Sequence, residues 1–171
     1  GQAMFNHAIK ELRWEGVNPF NFALVSEKGR ARKNRLQPNQ MKQFMKGLEA
    51  CSPSMKLLFL CSLYTGRRIG EVCSMRWVDL DLEMGVWLLP DTKADEAQKA
   101  VIPKALIDLL AERTRRSEWV FPSPSKSGHV QETKKAWAQV RAASGLESLQ
   151  ARDLRRTLAS WAQDVSVPIA A

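Results

Sequence analysis

Two short stretches of this 171-residue chain combine arginine with glycine or acidic residues in a way that suits anion chemistry. The first is Thr65-Gly66-Arg67-Arg68-Ile69-Gly70-Glu71, reached from an almost wholly apolar run (Met55, Leu57, Leu58, Phe59, Leu60, Cys61, Leu63, Tyr64). The second is Arg152-Asp153-Leu154-Arg155-Arg156-Thr157. Gly66 is the residue type that takes the left-handed conformation closing a helix, and Arg68, Ile69, Glu71, Val72 and Cys73 read as the first turns of the next one. The arginines are therefore expected at an interior corner, not on a solvated face. A guanidinium placed there needs a carboxylate or an anionic ligand. Glu71, three residues past Arg68, suffices for a purely structural pair. Two separated clusters, each opening a helix, instead suit an anion that takes several forked donors, and phosphate is the candidate.

The pattern Thr-Gly-x-Arg-x-x-Glu at Thr65 to Glu71, the Thr92-Lys93 pair on a hairpin, and Asp-Leu-Arg-Arg-Thr at Asp153 to Thr157 together resemble the catalytic domain of tyrosine recombinases, the phage integrase family. The resemblance runs from about Leu36 to the end of the chain. It implies site-specific DNA recombination, integration or excision, by strand cleavage and rejoining through a 3′-phosphotyrosine. Arg68, Lys93, Arg152 and Arg155 become the catalytic residues, with Glu71 and Asp153 in support. Double-stranded DNA and other recombinase protomers, in a tetramer on DNA, become the partners; no cofactor is implied. Arg68 and Arg155 would meet the charge that develops on the non-bridging phosphate oxygens, and Lys93 would protonate the leaving 5′ oxygen. Lys99, across the same hairpin tip, is the alternative donor. Without the resemblance, a lysine at a hairpin tip is a solvated edge guard.

Two departures from the family pattern carry consequences. Arg152 stands where the family has mostly histidine, and a guanidinium, which keeps its proton near neutral pH, cannot serve as a general base. The family signature also continues with a histidine or tryptophan and then the nucleophilic tyrosine, whereas this sequence stops at Val167-Pro168-Ile169-Ala170-Ala171. Its one tyrosine, Tyr64, reads as core. The expectation is a fragment that holds the phosphate-activating residues without the nucleophile. The alternative is a non-catalytic DNA-binding remnant or regulator derived from a recombinase. An RNA-binding domain is a weaker fit, because no aromatic stacking motif accompanies the basic residues.

Composition sets the outer limits. The formal net charge of +8 favours a polyanionic partner without choosing among DNA, RNA and an anionic membrane. Cys51, Cys61 and Cys73 have no Cys-x-x-Cys spacing and read as reduced core thiols in a cytoplasmic, bacterial protein. The apolar run before Gly66 is far shorter than the roughly 20 residues that span a bilayer, so no membrane role is expected. His7 and His129 are isolated, so no metal is expected. The absence of a Gly-rich phosphate loop argues against nucleotide hydrolysis. Neither a signal peptide nor an initiator methionine is visible, which fits a piece of something longer.

The elements that must position these residues follow from periodicity. Residues 1–25, with Met4, Phe5, Ala8, Ile9 and Leu12 at helical spacing, read as the last helix of a preceding helical DNA-binding domain, an identity the resemblance supplies. Residues 26–35 form a basic linker in which Arg30, Arg32, Lys33 and Arg35 could track phosphates. Residues 36–171 read as the integrase catalytic domain. Within it, Met41, Phe44, Met45 and Leu48 make one helical stripe after Pro38, and Ser52-Pro53 opens the apolar helix. Leu80 and Leu82, Val86 to Leu89, and Ala100 to Ile102 predict three short antiparallel strands. Leu106, Ile107, Leu109 and Leu110 predict a helix after Pro103. A helix over about 132–143 turns Trp137 and Val140 inward and offers Lys134, Lys135 and Arg141 to DNA. The last helix, about 153–163, buries Leu154, Leu158 and Trp161, with Arg156 as a phosphate or structural contact and Asp153 capping the helix and holding an arginine. The fold class is mainly α with a small three-stranded antiparallel sheet, an α+β arrangement like the tyrosine-recombinase catalytic domain.

Overall fold

A helix that is apolar all round has no solvent face and must be surrounded. The computed structural model, which describes residues 10–11, 34–89 and 98–164, builds the domain around such a helix. The chain divides into two compact units, Gly1–Lys33 and Asn34–Ala171, and the elements below belong to the second. A 3-10 turn at Pro38–Gln40 leads into α1 (Met41–Leu48). The central helix α2 (Pro53–Thr65) buries an unbroken stretch from Leu57 to Leu63. Its start is capped by Ser52, whose side chain accepts the Met55 N–H, and Pro53 occupies the first turn, where a missing N–H is harmless. Its end is Gly66 at φ +65°, with the Gly66 N–H donated to the Ser62 carbonyl. The short α3 (Ile69–Cys73) starts two residues later.

The sheet has the order β1-β2-β3, all antiparallel, from Leu80–Asp81, Val86–Leu89 and Gln98–Val101. The register pairs Trp87 with Leu80 and Ala100, so this row faces the core, while Leu88 lies opposite Lys99 on the outer face. The first strand is shorter than its leucine alternation predicts, because Leu82 already lies in the turn, and the third begins two residues early, at Gln98. The piece from Trp119 to Phe121 makes only isolated bridges, Arg76 to Trp119 and Pro122 to His129. Three helices complete the unit: α4 (Lys104–Ala111), α5 (Lys134–Ser144) and α6 (Asp153–Asp164).

Packing explains which elements can carry a site. Helix α2 contacts α3, α4 and α6. Helix α1 lies on α5, where Gly47 leaves no room for a side chain: a Cβ there would fall 2.7 Å from both the Ser144 Cβ and the Val140 carbonyl oxygen. Trp137 of α5 locks this pair onto α2, edge-on to Phe59 at 4.9 Å, and its indole N–H reaches the Leu149 carbonyl. Burial pushes the thiols of Cys61 and Cys73 up, Cys73 to about 11, which leaves both protonated and unreactive at neutral pH.

The sequence reading of α6 needs one correction. Leu154 is buried as expected, but Leu158 and Trp161 are only partly so, and two polar residues, Asp153 and Thr157, share the inner face. Thr157 Oγ1 donates to the Asp153 carbonyl at 2.8 Å and accepts the Leu36 N–H at 2.9 Å, so its hydroxyl is fully used inside the core. Among the described residues no helix is long and apolar enough to cross a membrane, and no group of His, Cys, Asp and Glu could hold a metal ion.

Candidate functional site

Each arginine cluster contains a carboxylate that binds an arginine three residues away. Glu71 Oε2 accepts the Arg68 N–H at 3.1 Å, while its Oε1 accepts Arg68 Nη1 at 2.9 Å. Asp153 Oδ2 accepts the Gln150 N–H at 2.9 Å, while its Oδ1 accepts Arg156 Nη1 at 3.2 Å. Glu71 closes the reciprocal half of a capping box at the start of α3, and each acid holds an arginine with its second oxygen. Glu71 and Asp153 thus support the clusters structurally, with Asp153 the more deeply placed at 2% exposure.

Arg68 is not the buried residue the apolar approach predicts. Its side chain is 70% exposed, against 17% for Glu71. The reason is positional: Arg68 is the N-cap of α3 with extended backbone, so its side chain leaves the corner instead of lying along a helix. The partly buried arginine is Arg67. Its Nη1 donates to Gln98 Oε1 at 2.8 Å and its Nη2 to the Lys99 carbonyl at 2.9 Å, both on β3. Tyr64 is also misread as core. It is 37% exposed on the last turn of α2, because that turn projects beyond the elements that cover the helix middle.

The two clusters meet. Helix α6 packs on α2, and a Cβ added to Gly66 would come within 3.0 Å of Leu158 Cδ2, one turn past Arg155. Burial pushes the Arg67 guanidinium down from its ordinary value; Glu71 opposes this, and the positive charges of Arg155 and Arg68 add to it. Arg67 therefore lies within electrostatic reach of both Arg68, its neighbour, and Arg155, from the distant second stretch. Arg68 and Arg155 are exposed, and Arg152 is exposed in the turn before α6. Mutual repulsion of this kind is relieved by an anion that several forked donors can share.

Other sequence-predicted residues are distributed as follows. Lys134 and Lys135 are exposed on the first turn of α5, whose N–H at Lys134 is accepted by Glu132. Arg141 is partly buried: its Nη1 donates to the Glu147 carbonyl at 3.1 Å and its Nε is buried without a partner. It ties the end of α5 to the loop that follows. Arg35 is ion-paired with Asp164 at 3.2 Å. Lys99 lies on β3 itself and is exposed. Lys93, Arg30, Arg32 and Lys33 lie outside the described residues.

The phage integrase family model matches residues 34–171. The chain belongs to the phage integrase family. Among relatives of this integrase-family chain, the integrase of Salmonella phage P22 is 24% identical over 174 residues, covering 93% of this chain and 44% of that protein. The prophage integrase IntF of Escherichia coli strain K12 is 28% identical over 140 residues, covering 78% of this chain and 30% of that protein. The chain thus spans less than half the length of either. The fold is that of tyrosine recombinases. The Tn1549 transposon integrase in complex with circular intermediate DNA superposes with a TM-score of 0.75 at 16% identity, over 98% of this chain and 64% of that one. A lambda integrase dimer bound to a core site gives 0.66 at 16% identity, over 96% and 50%.

Proposed function

We propose that this chain is the phosphate-activating part of a site-specific recombinase that cuts and rejoins double-stranded DNA through a 3′-phosphotyrosine. The observation that carries the reading is the convergence of the Arg67-Arg68 corner with the start of α6, where Arg155 feels the same field. The attacking tyrosine comes from outside residues 1–171. Its phenolate oxygen bonds to phosphorus as the P–O5′ bond breaks, and the electron pair left on O5′ takes a proton from the Lys93 ammonium. Arg68 and Arg155 hold the extra charge on the non-bridging oxygens, and Arg152 adds charge and hydrogen bonds only. Lys134, Lys135 and the basic linker residues Arg30, Arg32, Lys33 and Arg35 contact the backbone of the duplex. The parent protein works with other protomers, as a tetramer on paired sites, and residues 1–25 belong to its preceding DNA-binding domain.

The test is covalent trapping on nicked DNA with a protein extended past residue 171. A denaturant-resistant protein–DNA adduct that forms in EDTA and without ATP is expected. A protein that binds the duplex and leaves no adduct is instead a non-catalytic remnant or regulator. Since arginine stays protonated, the pH profile of adduct formation is expected to have no limb near about 6.5 that depends on residue 152. An arm in that range that vanishes in Arg152→Ala would show that this position, or a group it controls, titrates.

A further inference from the structure

We infer that Ser62 is a positioning residue for Arg68: from inside α2 its hydroxyl holds the Arg67–Arg68 peptide unit and so sets the direction in which the Arg68 guanidinium leaves the corner. This rests on the strand-transfer reading above. Ser62 is the one hydroxyl in the buried stretch from Leu57 to Leu63, and it is 1% exposed. Burying a hydroxyl among leucines is unfavourable unless a hydrogen bond offsets it. Alanine would suit both the helix and the apolar surroundings better, so the place of Ser62 is accounted for by what it bonds.

A serine within a helix commonly donates to the carbonyl one turn before it. Ser62 Oγ instead donates forward, out of the helix, to the Arg67 carbonyl at 2.8 Å. The left-handed Gly66 folds the chain back over the last turn and brings that carbonyl within reach. The Arg67 carbonyl shares one rigid peptide plane with the Arg68 N–H, which Glu71 Oε2 accepts at 3.1 Å. Both polar atoms of the plane are therefore held, one from α2 and one from α3, and rotating the plane would break both bonds. The Arg67 fork on β3 fixes the residue before the plane without fixing the plane itself. Beyond the plane, Glu71 Oε1 takes Arg68 Nη1 at 2.9 Å. An arginine serves a phosphate with several nitrogens in one plane, so a tilt at its root misplaces them together; a lysine presents a point charge, for which the tilt matters little.

The experiment is a double-mutant cycle on single-turnover adduct formation by the extended protein on nicked DNA, run at a temperature where melting curves show every variant folded. Ser62→Ala alone is expected to slow cleavage by roughly tenfold to a hundredfold, the effect of a misplaced catalytic group. Combined with Arg68→Lys, it is expected to add less than about a threefold loss to that of Arg68→Lys alone, because no fork remains to be aimed. Ser62→Cys, which keeps a weak donor of similar size, is expected to lose less than Ser62→Ala, and it carries the same cycle if the alanine variant fails to fold. An unsubstituted rate in Ser62→Ala overturns the positioning role. So does the full Ser62 loss recurring with lysine at position 68, which would mark Ser62 as a support of the fold in general. A protein with the original residues at both positions that forms no adduct overturns the strand-transfer reading itself, and this inference with it.

Discussion

Arg68→Lys is expected to slow strand cleavage by roughly a hundredfold or more, about 2.7 kcal/mol of barrier, while leaving the fold intact. The two halves of that expectation come from different atoms. The capping contact belongs to the backbone N–H of residue 68, which Glu71 Oε2 accepts at 3.1 Å, and lysine retains it. The chemistry belongs to the guanidinium, which can keep one nitrogen on Glu71 Oε1 and turn the others to phosphate oxygens; an ammonium offers a point charge and no planar fork. Single-turnover cleavage of a nicked substrate, with thermal melting alongside, separates the two. A near-unchanged rate removes Arg68 from the reacting phosphate, and a collapsed melting temperature shows that its role is structural.

The second large effect is on stability. Asp153→Ala is expected to lower the unfolding free energy by about 3 kcal/mol, since it removes a buried carboxylate from two charge-assisted bonds, one to the Gln150 N–H and one to Arg156. Asp153→Asn is expected to recover part of the loss, because the amide oxygen still accepts from Gln150. The exposed Lys104 to Asp108 pair is the internal control: Asp108→Ala there is expected to change stability by no more than about 0.5 kcal/mol. Urea unfolding of the three variants measures all of this. Equal effects at Asp153 and Asp108 would mean that the depth of Asp153 adds nothing.

The parts of the fold that could be read from sequence are those written in local patterns. Trp137 and Val140 point inward as their helical spacing requires, Gly66 closes α2 at positive φ, and the alternation around Val86 to Leu89 is a strand with Trp87 inward. The acid–arginine pairing at Glu71 was legible too, because both partners lie within one turn. What failed depended on distance or on missing periodicity. A helix apolar all round has no face to read, so Tyr64 looked buried and Arg68 looked interior. The long-range bonds left no local trace: Arg67 reaches Gln98 across 31 positions, and Leu36 reaches Thr157 across 121. The bond from Arg141 to the Glu147 carbonyl left no trace either, because that carbonyl lies in an irregular loop. The charge of Arg67 and its place beside Gly66 marked the corner, but nothing in the sequence said that it faces the sheet.

The bond from Leu36 to Thr157 bears on the order of assembly. It joins the first buried residue of the unit to a helix more than a hundred positions later, and Asn34 and Arg35 reach equally far, to the Ser148 carbonyl and to Asp164. Contacts of such separation close large loops, and in folding they form late. Two of these three closures, at Thr157 and Asp164, fasten helix α6, which brings Arg155. A chain in which these long loops are still open therefore lacks the approach of Arg155 to Arg67, and the arginine cluster is completed only by contacts that are remote in sequence.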